Sequence, residues 1–571
     1  MQRKGTIAGL LRKRILILDG AMGTELYKRG LPAGANPEAW CLANPTAVAE
    51  IHSAYREAGT DIVYTATFGA NRLKMGQYDL ANVRETNRKL AAIAKGAVGK
   101  GLVAGDIGPT GHFVEPFGDL PFDEAVEVFR EQAQGLLEGG VDCFVIETMM
   151  DIQEARAALI AVREVSDLFV MVTMTYEKHG RTLNGTDPVS ALITLQSLGA
   201  DAVGCNCSAG PEAMLEMLLA MKPHAKVPLV AKPNAGLPRL VGEETVFDMD
   251  ADAFGSFGGR FAAAGVNFMG GCCGTTPAHI AALRQTLADR RPLSPVCRTV
   301  AAISSARNSL FFERSASLLA VGGRLNTAES ETLREGLLAD EVTVVRQMAR
   351  EQEKEGATLL RLKATSPGLD EKEALWNILM QLAPTTRLSF LIEADRPEAL
   401  EKALRSYPGR VLARGGGGKE ARTAMLSVAR RYGAIPVLSC PAEGGLRAGK
   451  SAVREAIQAA RRHGFTKEDI VIDVLVADAM PRPDALSTGL GLISWCTEHM
   501  GCRTLLDLTG VGCGLPERQW LQAAFLAAAQ ASGLGLAILD PASKDLMHIR
   551  AAGNFLRGED PEGAAWRARF G

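Results

Sequence analysis

The feature that most constrains this chain is a repeat of short, unbroken apolar runs, each followed by a stretch with apolar residues at three- and four-residue spacing. In the first half the runs are ILIL from Ile15, DIVYTAT from Asp61, LVAGD from Leu102, CFVIET from Cys143, FVMVTMTY from Phe169, AVGCNC from Ala202, PLVAKPN from Pro228 and VNFMGGCCG from Val266. Continuous apolar runs suit strands buried on both faces, and the period between them suits helices that cover those strands. Eight such units predict a closed (β/α)8 barrel, with an open doubly wound sheet as the alternative. The alternation resumes with LLAVGGRLN, ATLLRLK, RLSFLIEAD, GRVLARGGGG, AIPVLSC, IVIDVLV, RTLLDLTGVGCG and GLAILDP. The sequence therefore predicts two barrels in tandem, over residues 1–295 and 316–571, joined by an irregular linker at 296–315 that includes Pro and Ser.

Composition narrows the function. Lys plus Arg number 63 against 65 Asp plus Glu, a formal charge of −2, and there is no basic stripe of the kind a nucleic-acid groove needs. The basic N-terminal stretch MQRKGTIAGLLRKRILILDG is broken by charges and lacks a signal-peptide core, and no run of eighteen apolar residues occurs. A cytoplasmic protein acting on small molecules or proteins, without membrane or nucleic-acid partners, is expected. Eleven cysteines in such a chain point to metal or catalytic use rather than to a disulfide framework.

Polar residues collect at the downstream ends of the apolar runs, which in a barrel form the catalytic face. There stand Asp19, Gly20, Thr67, Asn71, Asp106, Glu147, Asn206, Asn234 and three cysteines, Cys207, Cys272 and Cys273. Free cysteine is often a small core residue, and Cys143 and Cys205, inside strands, are assigned to the core. A glycine-framed pair in MGGCCGT, with a third cysteine at the end of the sixth run, is a different pattern, because the ends of the sixth and eighth strands lie near one another across the rim. Three thiolates with an open fourth position make a catalytic zinc site, and zinc deprotonates a coordinated thiol that is otherwise mostly protonated at neutral pH. Asp19 and Glu147 are carboxylates able to pair with an ammonium group, or else to cap helices.

Taken in order, LDGAMGTEL, TATFGAN, DIGPTG, ETM, GCNCSAGP, AKPNAG and MGGCCGTTP make residues 10–290 resemble the homocysteine S-methyltransferase family. The resemblance implies that Cys207, Cys272 and Cys273 ligate zinc, that Asp19 and Gly20 with their loop meet the amino-acid part of homocysteine, and that Glu147 takes its ammonium. Thr67, Asn71, Asn206 and Asn234 complete the expected substrate-binding set, while Ala66 stands where the commoner family form has Asn.

The second half resembles the pterin-binding barrel that follows the homocysteine domain in cobalamin-dependent methionine synthases. Its polar residues depart from that pattern at Arg361, Lys363, Arg414 and Gly510, while Asn326, Glu393 and Asp473 remain. Leaving several ring donors and acceptors unmatched costs about 1–3 kcal/mol each, so a dismantled folate site is expected. The segment DLMHIRAAG at Asp545–Gly553 has the wrong spacing for a cobalamin lower-ligand motif. The functional expectation is a zinc-dependent methyltransferase that converts homocysteine to methionine using a methyl-corrinoid carried by a separate protein. The alternatives are a direct donor, such as a betaine, a sulfonium compound or a folate, and a non-catalytic zinc protein that docks a corrinoid partner.

Overall fold

The computed structural model describes residues 2–560 apart from 79, 208–209, 238, 242–243, 296–299, 313–316, 340 and 477–482, together with 563, 566 and 567. It divides into two compact units, residues 1–298 and 299–571. Among the described residues no helix is long and apolar enough to cross a membrane.

The first unit is built on eight parallel strands: β1 (Leu16–Ile17), β2 (Ile62–Tyr64), β3 (Leu102–Ile107), β4 (Cys143–Met149), β5 (Phe169–Met174), β6 (Ala202–Asn206), β7 (Leu229–Lys232) and β8 (Val266–Met269). From β2 to β8 each pairs with its sequence neighbours, and β8 pairs with β1. The ring closes between β1 and β2 through a single parallel bridge, Leu18 to Ile62. Asp61 holds this short seam: its N–H donates to Ile17 O at 2.7 Å and its Oδ2 accepts from Ile17 N at 2.9 Å. Arg14 and Arg284 flank the same carboxylate at 2.6 and 3.3 Å.

The helix Gln2–Leu11 closes the lower end of this barrel. Ile7, 1% exposed, shares a cluster with residues that begin strands, namely Ile62, Leu102, Cys143, Phe169 and Ala202. Burial of apolar area at about 25 cal/mol per Å² supplies the driving force for this seal. Cys143 and Cys205 are core residues, at 0% and 1% exposure.

The second unit is a closed barrel of β11 (Leu319–Gly322), β12 (Leu359–Lys363), β13 (Ser389–Ala394), β14 (Leu412–Gly415), β15 (Ile435–Pro441), β16 (Val471–Leu475), β17 (Arg503–Asp507) and β18 (Leu536–Leu539). Part of the stretch expected to be linker is structured. An antiparallel hairpin, β9 (Ala302–Ser304) and β10 (Ser309–Phe311), buries Ile303 and the adjoining Phe312 against the first residues of the barrel strands. Arg410 fastens it by donating to Val300 O at 2.8 Å and Ala302 O at 3.0 Å. The hairpin is a plug for its own barrel, and the three-residue strands are too short to stand out as a periodic pattern.

One glycine sets how closely two site-bearing strands approach. Gly204 on β6 lies opposite Val230 on β7, and a Cβ there would come within 1.9 Å of Val230 O. Gly204→Ala is expected to force the strands apart and cost about 1–3 kcal/mol, read as a lower urea midpoint. An unchanged midpoint would mean that β6 and β7 can separate freely at this point.

Candidate active site

Side chains at the upper ends of the first barrel's strands enclose a cavity of about 290 Å³. Asp19, Gly20, Glu147, Cys207, Cys272 and Cys273 all line it, as do Lys232, Asp106, Tyr64 and Glu38. The other expected contacts do not. Thr67 donates to Asp106 O at 2.7 Å, and Asn71 caps the helix Arg72–Gly76 by accepting from Lys74 N at 3.1 Å. Asn234 is buried with its Oδ1 without a hydrogen bond, in the segment that anchors Cys272 and Cys273 but not in the cavity lining. Asn206 also stands outside the lining, accepting from Thr148 N at 2.8 Å and donating to Thr148 Oγ1 at 2.7 Å. As placed, Thr67, Asn71 and Asn206 hold the wall rather than form it.

The three thiols come from two loops that share one anchor. Cys207 N–H donates to Lys232 O at 3.1 Å, Cys272 N–H to Pro233 O at 2.8 Å, and Ala235 N–H to Cys273 O at 3.0 Å. Cys207 adopts φ 60°, a left-handed conformation that costs a side-chain-bearing residue about 1–3 kcal/mol. Thr148, the neighbour clamped by Asn206, lies at φ 63°. Such strain persists only where the surroundings over-determine it, and here hydrogen bonds fix both residues. Gly20 is required on the opposite wall, because a Cβ there would meet Thr275 Oγ1 and the Tyr55 ring at 2.8 Å.

The sulfur atoms of Cys207, Cys272 and Cys273 all lie within 4.8 Å of one another, with Cys207 and Cys273 at 3.9 Å. A tetrahedral zinc ion with Zn–S bonds of about 2.3 Å holds its sulfurs about 3.8 Å apart, so the set fits that geometry and leaves a fourth position facing the cavity. In the thiols themselves, proximity opposes loss of the protons of Cys272 and Cys273. Hydrogen bonding with Cys207 pushes the Cys273 pKa up to about 12, and hydrogen bonds with Cys207 and Cys273, then burial, lift Cys272 well above its ordinary value. Only a bound cation can favour three adjacent thiolates.

Lys232 was not among the expected site residues. Its ammonium is buried, 3.0 Å from Asp19 Oδ1, 3.8 Å from Glu147 Oε2 and 3.5 Å from the centre of the Tyr64 ring. Burial works against this charge, but Asp19 and Glu147 outweigh burial and hold its pKa above the ordinary value. The other oxygen of Asp19 accepts from Tyr64 N at 2.7 Å. Asp19 is thus engaged on both oxygens by the chain itself, whereas Glu147 Oε2 makes no hydrogen bond. The signal for Lys232 was a charge at the end of an apolar strand run, since a charge buried there must be paired.

Residues 16–287 match the family described as homocysteine S-methyltransferase, and residues 322–540 the one described as pterin binding enzyme. A methionine synthase of Mycobacterium tuberculosis is 31% identical, over 93% of this chain and 48% of its own length. A methionine synthase of Mycobacterium leprae is 30% identical, over 93% and 47%. The chain spans about half the length of these curated relatives. The solved structure of the homocysteine methyltransferase MmuM from Escherichia coli, in its metallated form, is 25% identical and covers 49% of this chain and 98% of its own, with a TM-score of 0.42.

The charge balance at Lys232 sets a pH dependence. Burial raises the Asp19 and Glu147 carboxyls while Lys232 pulls them back, so both lie above their ordinary values. Their contribution to stability is therefore full below the ordinary carboxylate range and is lost as pH rises through the folded-state values. Lys232→Met should enlarge that loss, so that its stability deficit grows as pH rises from 5 to 8, reaching about 3–5 kcal/mol. Urea midpoints at the two pH values check this, and an equal deficit at both would reduce Lys232 to a packing role.

Proposed function

We propose that the first barrel, whose residues 16–287 match the homocysteine S-methyltransferase family, methylates the thiol of homocysteine, giving methionine, with zinc held by Cys207, Cys272 and Cys273. The observation that carries this reading is the convergence of three sulfurs within 4.8 Å on the wall of a cavity that Glu147 also lines, its Oε2 ion-paired with Lys232 at 3.8 Å but without a hydrogen bond. Bound there, zinc supplies the positive charge that favours the deprotonated thiol at neutral pH.

The chain's own residues orient the substrate. Glu147 accepts hydrogen bonds from the substrate ammonium, and the backbone of Gly20 to Gly23 lines the wall offered to its carboxylate. Asp19 is a positioning residue that acts through Lys232. Lys232 in turn lowers the cost of ionising Glu147, which burial and the neighbouring Asp19 raise. The substrate sulfur gains the methyl group, the bond from methyl to its carrier breaks with the electron pair left on the carrier, and the thiol proton passes to solvent. Fixing the amino-acid end places the sulfur for in-line attack, a gain in effective concentration rather than in chemistry.

As donor we propose a methyl-corrinoid on a separate protein. A cavity of about 290 Å³ accommodates an amino acid, so a large carrier has to present its methyl group at the mouth. Methyl transfer to homocysteine from a methylated corrinoid and from a small sulfonium donor, assayed side by side, tests this. Turnover with the sulfonium donor alone rejects the corrinoid donor and leaves the thiol site standing.

Two outcomes are expected of variants. The purified chain should hold about one zinc ion, and Cys273→Ala should lose most of it, read by metal analysis after dialysis; full retention would reject the three-thiol site. Glu147→Gln should keep its zinc but bind homocysteine about 10–100-fold more weakly, the range for removing a charged hydrogen-bond partner. Unchanged affinity by calorimetry would return Glu147 to a structural role.

A further inference from the structure

The second barrel carries buried charge at the same level of its fold. From the middle to the upper ends of its strands stand Arg361 on β12, Glu393 on β13, Arg414 on β14, Asp473 on β16 and Asp507 on β17. The Arg414 Nη1 donates to Asp473 Oδ2 at 2.9 Å, and its Nη2 lies 2.5 Å from Glu393 Oε1. Arg361 places Nε 3.0 Å from Glu393 Oε1 and Nη1 3.2 Å from Asp507 Oδ2. Glu393 and Asp473 are 4% and 0% exposed, so neither carboxylate is a surface charge. Arg361 and Arg414, two of the departures from the pterin-binding pattern, are thus both paired with buried carboxylates.

A pterin does not fit this arrangement. Its recognition edge is a 2-amino-4-oxopyrimidine, a guanidine-type fork of donors whose natural partner is a buried carboxylate. The barrel has such carboxylates, but a guanidinium of its own chain already lies between them. That guanidinium is tethered to β14, bonds Asp473 through Oδ2 alone, a position shared with the Ser439 hydroxyl at 2.9 Å, and leaves Asp473 Oδ1 buried without a partner. An untethered fork is free to use both oxygens.

We propose that Arg414 is an internal ligand, its guanidinium filling the recess between Asp473 and Glu393 and closing the second barrel to pterins and related heterocycles. The inference is independent of the thiol chemistry in the first barrel, and its test reads the second barrel alone. In the full chain, Arg414→Ala empties the recess while Asp473 and Glu393 stay buried. Its thermal midpoint should fall by about 5 °C, a shift of the size expected for a buried pair losing one member. Millimolar methylguanidine, or 2-amino-4-hydroxypyrimidine, should recover at least half of that loss and leave the parent unmoved. Methylammonium, a cation without the fork, should recover none, and Asp473→Asn in the same background should abolish the recovery. Should Arg414→Ala be insoluble, the same compounds added during refolding should restore soluble protein, with Arg414→Gln as the second variant. Absence of recovery in both variants, or calorimetric binding of 6-hydroxymethylpterin by the parent chain, overturns the proposal.

Discussion

Three backbone hydrogen bonds converge on residues 232–235, from Cys207, from Cys272 and to Cys273. This segment continues β7, which lies between β6 and β8 in the ring. The two thiol-bearing loops therefore do not have to find one another, because each is fitted to a common backbone. The Lys232 side chain leaves the same segment for the opposite wall and ties Asp19 and Glu147 into the assembly. Thiol spacing and carboxylate charge are thus coupled through four consecutive residues. The ring seam at Leu18 and Ile62 lies behind this, since it holds Asp19 beside β2, where Tyr64 N–H can reach it.

The strands of both barrels were legible because parallel strands covered on both faces must be apolar throughout, and such runs are visible without periodicity analysis. The cysteines were legible for a different reason: glycines on both sides of Cys272–Cys273 serve no core purpose at a strand end. Thr67, Asn71 and Asn206 stand behind the lining residues, a placement hidden in the sequence because a strand-end polar residue looks the same whether it faces the cavity or the wall behind it. The difference is one of direction, and for Asn206 it depends on the left-handed Thr148 that it clamps. Lys232 was hidden by its company, since its pairing partners lie 213 and 85 positions away. In the second half the sequence reads as a loss of ligand residues, but Arg361 and Arg414 are replacements that satisfy carboxylates the fold has kept.

The two barrels handle buried charge in opposite ways. In the first, one ammonium serves two carboxylates, Asp19 and Glu147, that both line an open cavity. In the second, two guanidinium groups bridge four carboxylates, Glu329, Glu393, Asp473 and Asp507, and planar forks fill space that a single ammonium cannot. One arrangement keeps room for a guest; the other uses the room up. A buried ion pair is weak as a source of stability, but it is demanding in geometry, and each barrel uses that demand to shape its mouth.

The hairpin beneath the second barrel bears on where the chain can be divided. Its apolar residues belong to the strands above it, although they precede the first of those strands in sequence. A fragment begun at Leu318 would contain every strand of the ring and still expose an unlidded hydrophobic floor, a surface suited to self-association. The helix Gln2–Leu11 bears the same relation to the first barrel. Each barrel is thus preceded along the chain by its own stopper, and the excision point that respects both units lies before Val300 rather than after the hairpin.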